Sequence, residues 1–186
     1  MTKQVFIING SGGVGKDTFV SYVTHDMKVF NFYNGECVEN FSSVDKVKQL
    51  AKMAGWDGGK SEKDRKFLSD LKILCTEYND MPFKSMQDKV DEFKKSEAKM
   101  LFLHIREPKE IERAAKAFNA ITVLIKRDSV AHITSNTSDG SVFDYNYDVV
   151  IENNGSLEEL RHLAKSFVFD FLNVNSNLKS KYTTNK

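Results

Sequence analysis

The chain has 186 residues, with 27 Lys and Arg against 26 Asp and Glu and a formal net charge of +1. That balance excludes the one-sign field that gathers nucleic acid or a membrane surface. Two cysteines, Cys37 and Cys75, are too few for a disulfide framework, and no apolar run reaches bilayer length. With no charged-then-apolar leader ahead of the first glycines, a soluble, reduced, cytoplasmic protein is expected. The length suits a single domain over 1–174 with a sizeable core, followed by a polar tail over 175–186.

Along the chain, apolar runs alternate with helical periodicity. Val5–Asn9 reads as a strand and Lys16–Phe30 as a helix, with Phe19, Val20, Val23, Met27 and Phe30 at helical spacing. A turn over Asn31–Glu36 precedes a short strand, Cys37–Ser42. Val44–Ala54 is helical, and the glycines within Trp56–Lys60 break it. Glu62–Tyr78 is a long helix with Phe67, Leu68, Leu71, Leu74 and Cys75 on one face. Pro82 suits the first turn of the next helix, which runs to about Ser96. Met100–Ile105 and Ala120–Ile125 read as buried strands with the helix Glu107–Phe118 between them. Ser129–Asn146 is a long polar loop, of the kind that is functional or mobile. Val149–Glu152 is the last strand. Ser156 caps a closing helix to about Leu172, with Glu159 at capping-box spacing. Strands apolar throughout, alternating with helices, predict an α/β fold on a parallel sheet.

The chemistry is concentrated in Gly10-Ser11-Gly12-Gly13-Val14-Gly15-Lys16, which fits the phosphate-binding pattern G-x-x-x-x-G-K. Glycines let successive N–H groups point inward as a nest for an anion. The following helix adds the positive end of its dipole, and Lys16 adds a point charge. The strand–loop–helix context and the lysine favour a phosphate site over a bare glycine turn. Asp17 stands where a hydroxyl usually follows the lysine, and Thr18 comes next.

This GKDT ending resembles the nucleoside and nucleotide kinases of the P-loop class, most closely the deoxynucleoside-monophosphate-kinase-like members. The resemblance implies a three-layer α/β/α fold with a five-stranded parallel sheet in the order 2-3-1-4-5. It also implies a helical substrate region over about 44–96 and a lid over about 127–147. On it, Gly10, Gly12, Gly13, Val14, Gly15, Lys16, Asp17 and Thr18 hold ATP, with Thr18 on the α-phosphate side. Asp17 either holds a water of Mg²⁺ or caps its own helix.

Further stretches extend the likeness. "SSVDKVKQL" resembles the acceptor stretch of adenylate kinases, which implies Ser43 at the acceptor nucleotide, Asp45 near the magnesium waters and Lys48 at the acceptor phosphate. The same residues also make an ordinary helix start. "SEKDRKFLSDLK" is similar to a charged substrate-binding helix; it implies Arg65, whose alternative is a solvated face. "FLHIREP" is similar to the D-x-R-x-x-x-E run of deoxynucleotide kinases, keeping Arg106 and Glu110 but placing His104 where the magnesium-ordering aspartate stands. An imidazole is a poor replacement there, since Mg²⁺ prefers oxygen. Either Asp17 or Asp45 then serves the metal, or His104 has a substrate role; a satisfied core histidine is the plainer alternative. "IKRDSVAH" implies Arg127 as the first lid arginine, although residues 129–148 contain no other. Arg106 and Arg127 are the cations for transition-state charge. Asn153-Asn154-Gly155 is expected beside the nucleotide base.

The expected activity is transfer of the γ-phosphoryl group of ATP, with Mg²⁺, to a (deoxy)nucleoside monophosphate. Two alternatives stay open. One is a phage-type kinase of 5-hydroxymethyluracil in DNA, with Lys60, Lys63, Lys66, Lys94, Lys95 and Lys99 as a local basic patch. The other is a nucleotide-binding regulator without turnover. A GTPase switch would need an N-K-x-D element, which the sequence lacks.

Overall fold

The computed structural model describes residues 3–31, 37–130 and 141–173. Five parallel strands form one sheet in the order β2-β3-β1-β4-β5. They are β1 (Gln4–Asn9), β2 (Val38–Ser42), β3 (Met100–His104), β4 (Ile121–Lys126) and β5 (Val149–Glu152). The helices are α1 (Lys16–Asn31), α2 (Asp45–Met53), α3 (Glu62–Asn79), α4 (Met81–Lys95), α5 (Pro108–Phe118) and α6 (Leu157–Leu172). The strand order expected from the resemblance is the order observed.

β1 is central because both its faces are covered. Phe6 and Ile8 pack toward α1 and α6 with Phe102, Val123 and Phe167. Val5 and Ile7 pack on the other face with Leu101, Leu103, Met86, Phe93 and Ile111. Successive strand residues point to opposite faces, so a strand covered on both sides must be apolar throughout. Phe6 stacks on Phe102 with ring centroids 5.2 Å apart, and Phe167 closes on Phe6 at 5.2 Å.

Local chemistry sets the helix ends. Ser156 and Glu159 form the expected capping box at the start of α6. Ser61 and Asp64 form a second one at the start of α3. Pro82 lies in the first turn of α4. Among the described residues, no helix is long and apolar enough to cross a membrane.

On the apolar face of α3, Leu68, Leu71 and Cys75 are half-buried and Phe67 and Leu74 exposed, and α3 contains no fully buried residue. The helix packs chiefly on α2 and α4 rather than on the sheet, whose near face is already filled by α4 and α5. The turn at 32–36, the middle of the expected lid (131–140) and the tail from 174 lie outside the described residues.

Chain connections leave β1 toward β2 on one side and leave β3 toward β4 on the other. Ligands of open parallel sheets settle where the connections diverge in this way, outside the carboxyl ends of the strands. Here that point lies between the loop after β1 and the segment after β3.

Candidate active site

The loop after β1 follows the path its glycines permit. Gly13 and Gly15 have φ of +83° and +90°, the left-handed region that side chains disfavour. At Gly15 there is also no room: a Cβ would stand 2.6 Å from Nδ2 of Asn153. Asn153 is buried, and its Nδ2 donates to the carbonyl of Val14 at 2.8 Å. Its side chain is therefore turned under the loop as a support. Asn154 is paired elsewhere: its Oδ1 accepts from the N–H of Asp128, and its Nδ2 donates to Asp128 Oδ2, both at 2.8 Å. Gly155 lies in the α6 capping turn against the Glu159 carboxylate.

A second support comes from Asn9, fully buried at the end of β1. Its Oδ1 accepts from the N–H of Gly10 at 2.8 Å. Its Nδ2 donates to the carbonyl of Arg106 at 3.1 Å and to the Tyr147 hydroxyl at 2.7 Å. Tyr147 in turn donates to the carbonyl of Val142. One amide thus joins the phosphate loop to the segment after β3. Burial pushes the Tyr147 phenol up to about 12, so it stays a neutral donor.

A cleft of about 1310 Å³ opens over the carboxyl ends of β1, β2 and β3. Lys16 and Asp17 line it from the start of α1, with Ser43, Asp45 and Lys48 from the β2–α2 junction. Arg65 faces it from α3, and His104 and Arg106 from the end of β3. The structure therefore brings onto one cleft all the residues expected at the acceptor and the metal. Arg127 is not among the lining residues; its Nε donates to Ser129 Oγ at 3.1 Å.

Each wall has a local cause. The Ser43 N–H donates to the carbonyl of His104 at 3.2 Å, extending the β2–β3 pairing by one residue. Asp45 accepts from the N–H of Ser42 with Oδ2 at 2.8 Å, so it closes its own helix start while lining the cleft. Arg65 Nε donates to the carbonyl of Lys60 at 3.1 Å, which steadies an exposed side chain. Behind Arg106, Lys72 of α3 bridges Glu107 at 2.7 Å and Glu110 at 2.9 Å. Burial would raise both carboxyls; Lys72 holds Glu107 below the usual range, whereas Glu110 stays above it with Glu107 as a like-charged neighbour.

His104 is a cleft residue, with Nε2 3.4 Å from Oδ1 of Asn40. Burial, then the charge of Lys16, pushes its pKa down to about 4; Asp17 and Asp45 oppose this, and Lys48 adds to it. The imidazole is therefore neutral at pH 7, and residues from three other elements converge on it. Asp17 and Asp45 thus bring two carboxylates within electrostatic reach of one imidazole on the cleft wall. Among the described residues, no group of three or more His, Cys, Asp or Glu could hold a metal by itself.

Asn9, Tyr147 and Asn153 in its supporting role are the residues that sequence reasoning missed. An Asn ending the apolar run directly before Gly10 was the only local signal for the first.

No family model matches the chain, and no curated protein matches it in sequence. Among solved structures it is similar to a shikimate kinase from Aquifex aeolicus, at 11% identity and TM-score 0.45, over 91% of this chain and 99% of that one. It is similar to a sugar kinase from Janibacter, at 13% identity and TM-score 0.43, over 99% and 100% of the two chains. A thymidylate kinase from Ehrlichia chaffeensis matches at 12% identity and TM-score 0.31, over 94% and 89%. At these identities and scores the likeness assigns no reaction and no acceptor to this chain.

Proposed function

We propose that the chain is a P-loop phosphotransferase that moves the γ-phosphoryl group of ATP to a small anionic acceptor of the nucleoside monophosphate type. One observation carries the reading: the phosphate-loop residues Lys16 and Asp17 share a single cleft with Ser43, Lys48, Arg65 and Arg106. Phosphoryl transfer asks a protein mainly to bring two anions into line and to neutralise the charge that develops between them. A cation-rich cleft running from a phosphate nest to a second cluster of lysine and arginine has that form.

In this reading the loop N–H groups, Lys16 and Thr18 bind the donor phosphates. Lys48, Arg65 and Arg106 bind the acceptor, with Ser43 and His104 as uncharged partners. Asp17 and Asp45 would hold Mg²⁺ through its waters, and the ion would supply charge neutralisation between the donor phosphates. Arg127 would reach the donor from the lid side. Asn154 and Gly155 belong to the strip beside the loop, where a base would lie.

The test is ADP release from ATP over a panel of nucleoside monophosphates, nucleosides, shikimate-like and sugar hydroxyl acceptors, and hydroxymethyl-bearing DNA. Turnover with a monophosphate supports the reading. Turnover only with DNA would move the acceptor to the basic rim formed by Lys60 and Lys66. ATP binding without turnover on any acceptor would make the chain a nucleotide-binding regulator.

A further inference from the structure

Lys72 lines the cleft, yet its charge is committed to the protein itself. Arg65, Leu68, Ser69 and Lys72 stand at helical spacing along α3, so they share one side of it, and all four line the cleft. Arg65 and Lys72 are two turns apart, roughly 10 Å along the axis. At the foot of this stripe the Lys72 ammonium lies 2.7 Å from the Glu107 carboxylate and 2.9 Å from that of Glu110. Its side chain is only 12% exposed. Glu107 follows directly on Arg106 and opens α5.

The segment from His104 to Glu107 is thereby tied on three sides. The carbonyl of His104 accepts from the Ser43 N–H, and that of Arg106 accepts from Asn9 Nδ2. These two ties come from β1 and from the end of β2. The third, to Glu107, comes from α3, which buries no residue fully and packs chiefly on α2 and α4. Apolar packing that shallow sets the turning of a helix about its own axis only weakly. A slip of one residue would turn every side chain by about 100° and carry Arg65 off the cleft. The pair Arg113–Asp80 also holds α3 to α5, but it is largely exposed and lies at the end remote from Arg65. Carboxylates at the start of a helix are already favoured by its dipole, so α5 does not require a lysine there. The tie serves α3.

We propose that Lys72 is a positioning residue: its bridge to Glu107 and Glu110 fixes the setting of α3 that turns Arg65 into the cleft it shares with Arg106. Its effect on acceptor use rests on the phosphoryl-transfer reading; its hold on α3 does not. A lysine set between two partly buried carboxylates is costly to withdraw, because each group left behind would be an unpaired charge. That gives the helix the directional contact which its apolar side chains do not supply.

The experiment has two readouts. The first is amide hydrogen exchange of the full chain without nucleotide, for wild type, Lys72→Met, Lys72→Arg and the triple variant K72M/E107Q/E110Q. The triple variant carries no unpaired carboxylate at the bridge, so the fold survives the loss of the lysine. Exchange over Glu62–Asn79 is expected to rise about tenfold in both variants that carry methionine, with β1, β3 and β4 unchanged and Lys72→Arg close to wild type. Unchanged exchange in α3 overturns the proposal. So does an equal rise throughout the sheet, which would make the bridge a general support. The second readout is steady-state kinetics with the nucleoside monophosphate that turns over. Lys72→Met should raise the acceptor KM about tenfold while the KM for ATP stays near wild type. Added to Arg65→Ala it should cause no further loss, because it acts through Arg65. Losses that add in the double variant overturn the positioning role. A wild type that turns over no acceptor counts against the phosphoryl-transfer reading instead, and hydrogen exchange then decides the proposal alone.

Discussion

The Nδ2 of Asn153, just after β5, donates to the carbonyl of Val14 in the phosphate loop across 2.8 Å, although the two are 139 positions apart in the chain. Gly15 passes so close that even one methyl group there would collide with the same nitrogen. We predict that Asn153→Ala lowers stability by about 1–3 kcal/mol, since a buried carbonyl loses its donor. It should also weaken ATP binding by loosening the loop. Thermal unfolding and nucleotide titration check the two effects; wild-type values for both would show that the loop holds its shape alone.

The neutral state of His104 has a signature in acid. Its pKa falls from 6.5 to about 4 on folding. Between those values the unfolded chain binds a proton that the folded chain does not, so stability is present above about 6.5 and is lost as the pH falls toward 4. The expected loss is on the order of 2 kcal/mol. Denaturant unfolding of the chain without metal or nucleotide, at pH 7 and pH 4.5, should show a smaller difference for His104→Asn than for wild type. Equal differences would place the titration elsewhere.

Arg65 and Arg106 approach the cleft from α3 and from the end of β3. Changing either to Ala should reduce acceptor-dependent turnover more than ATP binding, by about 1.5–3 kcal/mol for a charge-assisted contact. Steady-state kinetics with each substrate varied will separate the two. An equal fall in ATP affinity would put these arginines on the donor side.

Asp17 and Asp45 line the cleft together with His104, and the proposed reading gives them the waters of Mg²⁺. Asp17→Asn should lower activity and recover in part with excess Mg²⁺, because a carboxylate one shell out orients the waters. His104→Asp should be tolerated or should lower the magnesium requirement. Titration of activity against Mg²⁺ reads both. A wild-type magnesium dependence in the Asp17 variant would leave that residue as a helix-start acid and move attention to Asp45.

The phosphate loop was legible in the sequence because its chemistry lies in residue types: glycines for the backbone path and one lysine for charge. The strands were legible because β1, β3 and β4 are buried on both faces and so are apolar throughout. What could not be read were contacts made by a side chain to a distant backbone. Asn9 reaching Arg106 and Asn153 reaching Val14 leave no periodicity and no spacing. The face of α3 taught a different lesson. Periodicity tells which side chains share a side of a helix, but not whether the fold supplies anything to cover them. His104 was found by its place at the end of the third strand, and its neighbours emerged only when three elements converged.

The central claim is that the loop and the cation cluster form one phosphotransfer cleft, and Lys16 tests it most directly. ADP release by wild type and by Lys16→Ala should be compared over the acceptor panel, with unfolding midpoints measured alongside. The account predicts acceptor-dependent release by wild type, none above background for the variant, and nearly equal midpoints, because the lysine acts on phosphate and not on the core. An active, folded Lys16→Ala protein would contradict it.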